Sequence, residues 1–194
     1  MGHLRKMNID IKEIIKSHLE VVKSLDNDLS LIEQICKKSL STLKNSGKII
    51  LCGNGGSASD SIHISSEIVG KFEKKRKALA SISLSTNPSH LTAIGNDFGF
   101  DYVFSRQIEA VGKKEDLLIA ISTSGNSKNV IKALKYAKEK KITSVGLLGN
   151  NGGKCQKYCN YDLIVPHTNT ARIQECHIFL GHYIFNEVEK KLLK

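Results

Sequence analysis

Two pairs of side chains stand at helical spacings that could carry acid–base or metal chemistry. His63 and Glu67 are at i and i+4, on one face of any helix that holds them. Gln174 and His182 are eight residues apart, about 80° beyond two full turns at 3.6 residues per turn, so they share a broad face. Imidazole, carboxylate and amide groups together suit a zinc-type ion with nitrogen and oxygen ligands. Imidazole and carboxylate are also the commonest general acids and bases. A single helix histidine more often serves packing, and His18, His90, His167 and His177, which lack comparable pairing, read as structural.

Two loops could receive a ligand. Gly53-Asn54-Gly55-Gly56-Ser57-Ala58-Ser59 follows an apolar run and opens a helical segment, where small residues let a ligand approach free backbone N–H groups. The loop fits the dinucleotide pattern G-x-G-x-x-A at Gly53, Gly55 and Ala58. That reading needs a carboxylate at the end of the next strand, which instead ends Leu84-Ser85-Thr86-Asn87; Glu73 lies ahead of it. A Walker loop is excluded because Ile49 follows Gly47-Lys48. The second loop, Ser122-Thr123-Ser124-Gly125-Asn126-Ser127, offers four hydroxyls before another helical segment. One hydroxyl suffices for an N-cap, so four favour an anion such as a phosphate monoester.

The elements that must position these groups alternate. Apolar stripes predict helices from Ile9 to Leu25 and from Leu29 to Leu43. Strands are predicted at Ile49–Cys52, Leu79–Leu84, Leu117–Ile121, Ile142–Leu148 and Leu163–Val165. Helices are predicted at Ser57–Val69, Asn126–Glu139 and Arg172–Leu193. Short continuous apolar strands between helices predict an α/β fold of three layers, with a central five-stranded parallel sheet covered on both faces. Ligands then bind beyond the carboxyl ends of the strands, where both loops fall.

A length of 194 residues predicts a single domain. Forty per cent hydrophobic residues and only two prolines exclude a disordered or linker-rich chain. No apolar run nears the ~18 residues of a membrane span, and no secretory signal is visible, so no membrane partner is expected. Met1 to Lys6, ahead of Met7, reads as a tag remnant. The net charge of +10 invites a nucleic-acid reading, but Lys74-Lys75-Arg76-Lys77 and Lys138, Lys140, Lys141 lie in a loop or at helix ends without interleaved aromatics. No nucleic-acid partner is expected. Five cysteines, an odd number, predict reduced thiols in a cytoplasm; Cys155 and Cys159 lack redox or zinc-ribbon spacing.

Gly53-Asn-Gly-Gly-Ser-Ala-Ser-Asp60, His63-x-x-x-Glu67, Leu91-Thr-Ala-Ile-Gly-Asn-Asp97, Phe104-Ser-Arg-Gln107, Ser122-Thr-Ser-Gly-Asn-Ser127 and Arg172-Ile-Gln-Glu175 with His182 occur in order from Ile9 onward. Together they resemble the phosphoheptose isomerases of the sugar isomerase (SIS) domain superfamily. The resemblance implies a flavodoxin-like SIS domain and isomerisation of sedoheptulose 7-phosphate to D-glycero-D-manno-heptose 7-phosphate. That is the first step toward activated heptose in bacterial lipopolysaccharide or capsule synthesis. It implies one Zn²⁺ per subunit on His63, Glu67, Gln174 and His182, and Glu67 and His182 as the catalytic acid–base pair. It implies substrate contacts from Asn54, Gly55, Gly56, Ser57, Glu67, Asn96, Asp97, Ser122, Thr123, Ser124, Ser127 and Gln174. It also implies a homotetramer with active sites at subunit interfaces, and the helices within residues 8–46, both with apolar stripes, are expected to pack on another subunit. Two departures are visible: Ile62 where the family often has Gln, and Lys71 where Arg is expected. The alternative within the family is a non-catalytic paralogue that binds a replication initiator protein. It departs at the acidic and terminal-helix positions, whereas Glu67 and His182 are both present here. A sugar-phosphate-sensing regulator would need a DNA-binding domain, for which this length leaves no room.

Overall fold

The computed structural model describes residues 11–193. The six N-terminal residues read as a tag remnant, and the predicted helix start at Ile9, lie outside the described residues. Five strands form one sheet: β1 (Ile49–Cys52), β2 (Ser81–Ser83), β3 (Leu117–Ser122), β4 (Thr143–Gly149) and β5 (Tyr161–Val165). The order is β2-β1-β3-β4-β5 and every pairing is parallel. Ile49, Ile50, Leu51 and Cys52 are all fully buried, because alternate side chains of β1 enter two different cores. This is why the strand reads as an unbroken apolar run.

On one face lie α1 (Ile11–Ser24), α2 (Leu29–Lys44), α3 (Gly56–Val69) and α7 (Thr170–Leu192). On the other lie α4 (Pro88–Phe98), α5 (Ser105–Val111) and α6 (Lys128–Glu139). The chain leaves β1 toward the first face and leaves neighbouring β3 toward the second. The two connections therefore diverge and open a crevice at the carboxyl ends of the strands.

Several predicted boundaries move. β2 spans Ser81–Ser83 and not Leu79–Leu84, although Ala80 O still accepts from the Ile49 N–H and the Leu84 N–H still donates to Leu51 O on either side of it. α6 begins at Lys128 and not Asn126, because Asn126 is drawn into a turn: its backbone N–H donates to Ser124 Oγ and its Nδ2 to Ser124 O. α4 and α5 were not among the predicted elements. α4 buries no residue fully, so it carries no readable stripe; its start is marked by Asn87, whose side chain accepts from the Ser89 and His90 N–H groups ahead of Pro88. Of the two N-terminal helices expected to pack on another subunit, α2 buries Ile32 and Ile35 in the core of its own chain. On α1, Ile11, Ile14, Ile15 and Leu19 remain exposed. Among the described residues no helix is long and apolar enough to cross a membrane.

Two buried carboxylates staple the ends of the fold. Asp116 accepts from the backbone N–H groups of Lys48 (3.0 Å) and Lys113 (2.7 Å) and from Lys48 Nζ at the amino end of the sheet. Glu189 on α7, 2% exposed, accepts from the N–H groups of Phe72 (3.0 Å), Glu73 (2.8 Å) and Lys74 (2.8 Å), and from Arg76 Nε at 2.6 Å. Burial alone would raise the Glu189 carboxyl; the three N–H groups and the guanidinium outweigh it and hold it down at about 2. A folded value below the unfolded one gives stability that is present above the usual carboxylate range and lost as pH falls toward 2. Between pH 5 and pH 2, the unfolding free energy should fall on the order of 3 kcal/mol more in the wild type than in Glu189→Gln. Urea unfolding across that range reads the difference, and parallel pH curves would contradict it.

Candidate active site

α3 is locked in rotation by polar contacts on its inner side. Ser61 Oγ meets Ser83 Oγ at 2.8 Å, and Ser65 Oγ meets Ser81 Oγ at 3.0 Å, joining the helix to β2. Ile64 and Ile68 fill the core beside them. His63 and Glu67 then fall on a flank that faces α7. On α7, Ile173, Cys176, His177, Leu180 and Gly181 point inward and are buried, which leaves Gln174 and His182 on the flank toward α3. His177 is fully buried with Nε2 3.1 Å from Leu148 O, and burial pushes its pKa down to about 4, so it stays neutral.

α3 and α7 run alongside each other in the same direction and approach closely. A Cβ on Gly56 would run into the Gln174 amide, and one on Gly181 into the Ile64 side chain. Gln174 thus lies on the first turn of α3, and His182 lies further along on its middle turns. There His182 Nε2 is 3.3 Å from His63 Nε2, and His63 Nε2 is 3.3 Å from Glu67 Oε1. The two imidazoles meet edge-on, centroids 4.9 Å apart, and the Phe72 ring lies 5.6 Å from that of His182. Burial, followed by the charge of His63, lowers the His182 pKa, while Glu67 opposes the shift. His182 therefore favours its neutral form, the one that can accept a proton or bind a metal.

Asp60, one turn before His63, belongs to the same surface, although spacing alone assigns it no role. Its Oδ2 is buried without a partner, and burial raises its carboxyl to about 6 against the pull of His63. The signal for it is positional: Asp60, His63 and Glu67 fall at i, i+3 and i+7 of one helix face.

The donor types and pairwise distances suit zinc. Two donors each ~2.05 Å from a tetrahedral ion lie about 3.3 Å apart, the separation found for His63 with His182 and for His63 with Glu67. The structure brings His63, Glu67 and His182 into contact but leaves Gln174 against Gly56 on the first turn of α3; among the described residues, no three His, Cys, Asp or Glu side chains stand around one point as they would about a metal. The His63 and Glu67 side chains are 48% and 28% exposed.

The crevice loops are joined across the switch point. Asn54 Nδ2 donates to Asn129 Oδ1 at 2.8 Å and Asn129 Nδ2 to Asn54 Oδ1 at 2.9 Å. Asn129 is a second residue that spacing does not single out, because its partner is 75 positions away. Ser122 Oγ and Ser127 Oγ lie 3.2 Å apart, and Ser127 makes no side-chain cap to α6. Of the first N–H groups of α6, that of Val130 donates to Asn129 Oδ1 at 2.9 Å, and none is taken by Ser127 Oγ. Thr123 is half-buried, Ser124 exposed, and Ser57 buried against Gly53. Gly55 and Gly56 are exposed at the head of α3. Asn96 and Asp97 are not brought to this group: both are exposed on α4, and Asn96 Nδ2 donates to Asp97 Oδ1 at 2.8 Å.

Residues 13–149 match the family model described as SIS domain. The phosphoheptose isomerase of Clostridium acetobutylicum is 49% identical over 185 residues, covering 94% of each chain. That of Campylobacter concisus is 47% identical over 180 residues, covering 93% of this chain and 95% of its own. The solved phosphoheptose isomerase of Neisseria gonorrhoeae superposes with a TM-score of 0.83 at 43% identity, over 93% of this chain and 95% of its own. Relatives named as isomerases, matched over more than nine-tenths of each chain, support a catalyst over a binding paralogue. The chain belongs to the phosphoheptose isomerase family of SIS-domain proteins and is a sugar-phosphate isomerase.

Proposed function

We propose that this isomerase interconverts sedoheptulose 7-phosphate and D-glycero-D-manno-heptose 7-phosphate. The observation that carries the reading is the contact chain from Glu67 through His63 to His182, set where α3 and α7 meet beside the Gly55–Gly56 loop. The proposed roles follow from the chemistry. A proton on the carbon next to a carbonyl is weakly acidic, so its removal needs a positioned base and a stabilised enediolate oxygen. Glu67 takes or returns the proton at one of the two carbons, and His182 serves the other. The hydroxyls of Ser122, Thr123, Ser124 and Ser127 and the N–H groups opening α6 hold the phosphate. Asn54, Gly55, Gly56, Ser57 and Gln174 line the sugar, and Asn96 and Asp97 on α4 reach it in the assembled protein.

His63, Glu67, Gln174 and His182 would hold zinc. A bound zinc ion supplies Lewis-acid polarisation of the substrate carbonyl and its neighbouring oxygen. The exposed stripe Ile11, Ile14, Ile15 and Leu19 on α1 supports a tetramer of two-fold symmetry with sites at subunit boundaries; a stable monomer in sedimentation at micromolar concentration would contradict it. Five free thiols suit a reducing cytoplasm. The activated heptose would serve lipopolysaccharide or capsule synthesis.

Kinetics separate the two halves of this site. Ser124→Ala should raise KM through the loss of roughly 1–3 kcal/mol of a charged hydrogen bond. Glu67→Gln should lower kcat by at least about two orders of magnitude. His182→Gln should lower it similarly, and the double variant should lose less than the product of the two, because groups on one proton path act as a unit. Full activity on sedoheptulose 7-phosphate in either single variant would falsify the acid–base assignment. An unchanged KM in Ser124→Ala would move the phosphate elsewhere.

A further inference from the structure

We propose that the buried Arg76–Glu189 pair positions the proton-transfer site, tying the last turn of α3 to α7 and seating Phe72 against His182. This rests on the reading of Glu67 and His182 as the acid–base pair.

The pair is more elaborate than a loop anchor requires. Its side chains are 6% and 2% exposed. Three successive backbone N–H groups, from Phe72, Glu73 and Lys74, converge on the single Glu189 carboxylate. Arg76 then spreads its remaining donors over backbone: Nη2 to Glu67 O at 2.8 Å, and Nη1 to Gly70 O at 3.3 Å and Lys77 O at 3.1 Å. The last carbonyls of a helix lack intrahelical partners, and here the bonded carbonyls include that of Glu67 itself. One unbroken path therefore runs from the Glu67 backbone through Arg76 to Glu189, two turns beyond His182 on the same helix.

The loop held by that path also meets His182 directly. Phe72, whose N–H is bonded to Glu189, lays its ring against His182 at 5.6 Å between centroids and 51° between planes. Asn186 Nδ2 adds a contact to Glu73 Oε1 at 3.3 Å. His63 approaches the ring from another direction at 69°. The imidazole is thus oriented by two rings, one of which is set by the strap.

Removing the pair also orphans the three N–H groups that Glu189 accepts from and the carbonyls that Arg76 bonds, so the apolar double variant is expected to lose stability as well. Arg76→Lys keeps the charge beside Glu189 but cannot reach the Glu67 carbonyl with the same fork, so it separates positioning from stability. The test uses the full chain with bound zinc, and three variants: Arg76→Met with Glu189→Leu, Arg76→Lys, and Phe72→Leu. Each is assayed for kcat and KM on sedoheptulose 7-phosphate, alongside thermal unfolding and assembly state. The expected result is a kcat about tenfold or more lower in the double variant and in Arg76→Lys, since small displacements of reacting groups are costly. KM should change less than about threefold, because substrate binding is left intact. Phe72→Leu should lower kcat in the same direction with unchanged assembly. Wild-type kcat in Arg76→Lys and Phe72→Leu overturns the proposal, and these two milder changes decide it if the double variant fails to fold. Glu67→Gln, run in parallel, separates the causes: an inactive Glu67→Gln with unaffected strap variants refutes the strap alone, and an active Glu67→Gln refutes the acid–base reading and the strap with it.

Discussion

The close parallel approach of α3 and α7 is the constraint on which the site depends. It is permitted by missing side chains: Gly56 leaves room for the Gln174 amide, and Gly181 leaves room for Ile64. Push the helices apart by the width of a methyl group and His182 loses its 3.3 Å approach to His63. The serine pairs linking α3 to β2 fix the rotation of one helix, and the buried row from Ile173 to Ile184 fixes the other. Neither helix has a free choice of which flank it offers.

The sheet provides the second half of the geometry. Adjacent strands β1 and β3 send their connections to opposite faces, so the Asn54 loop and the Ser122–Ser127 loop border one crevice. The reciprocal amide pair Asn54–Asn129 joins the loop after β1 to the start of α6. On the proposed function, one side of the crevice would cradle the phosphate and the other would move the proton. At the far end of the sheet, Asp116 closes the β1–β3 register without touching the site.

Much of this is legible in sequence because burial leaves a pattern. Strands covered on both faces read as continuous apolar runs, and Ile49 to Cys52 and Leu117 to Ile121 do so. His63 with Glu67 and Gln174 with His182 are legible because helical spacing is a short-range property. What cannot be read is any feature defined by its partner. The stripe of α2 identifies a buried face but not that Ile32 and Ile35 meet their own chain. α4 buries no residue fully and so has no stripe. Glu189 and Arg76 are 113 positions apart, and each alone resembles a solvated charge. Asp60 stands inside a recognisable motif, yet its partnerless, buried Oδ2 exists only once the helix is folded against its neighbours.

On the proposed function, the α3–α7 seam is a metal-bearing centre for proton transfer on a heptulose phosphate. Turnover of sedoheptulose 7-phosphate by chelator-stripped protein, with zinc content measured on the same sample, tests that claim most directly. Turnover should fall at least about a hundredfold when the Lewis acid is removed and recover on restoring one zinc per chain. Undiminished turnover by protein shown to be free of metal would contradict it.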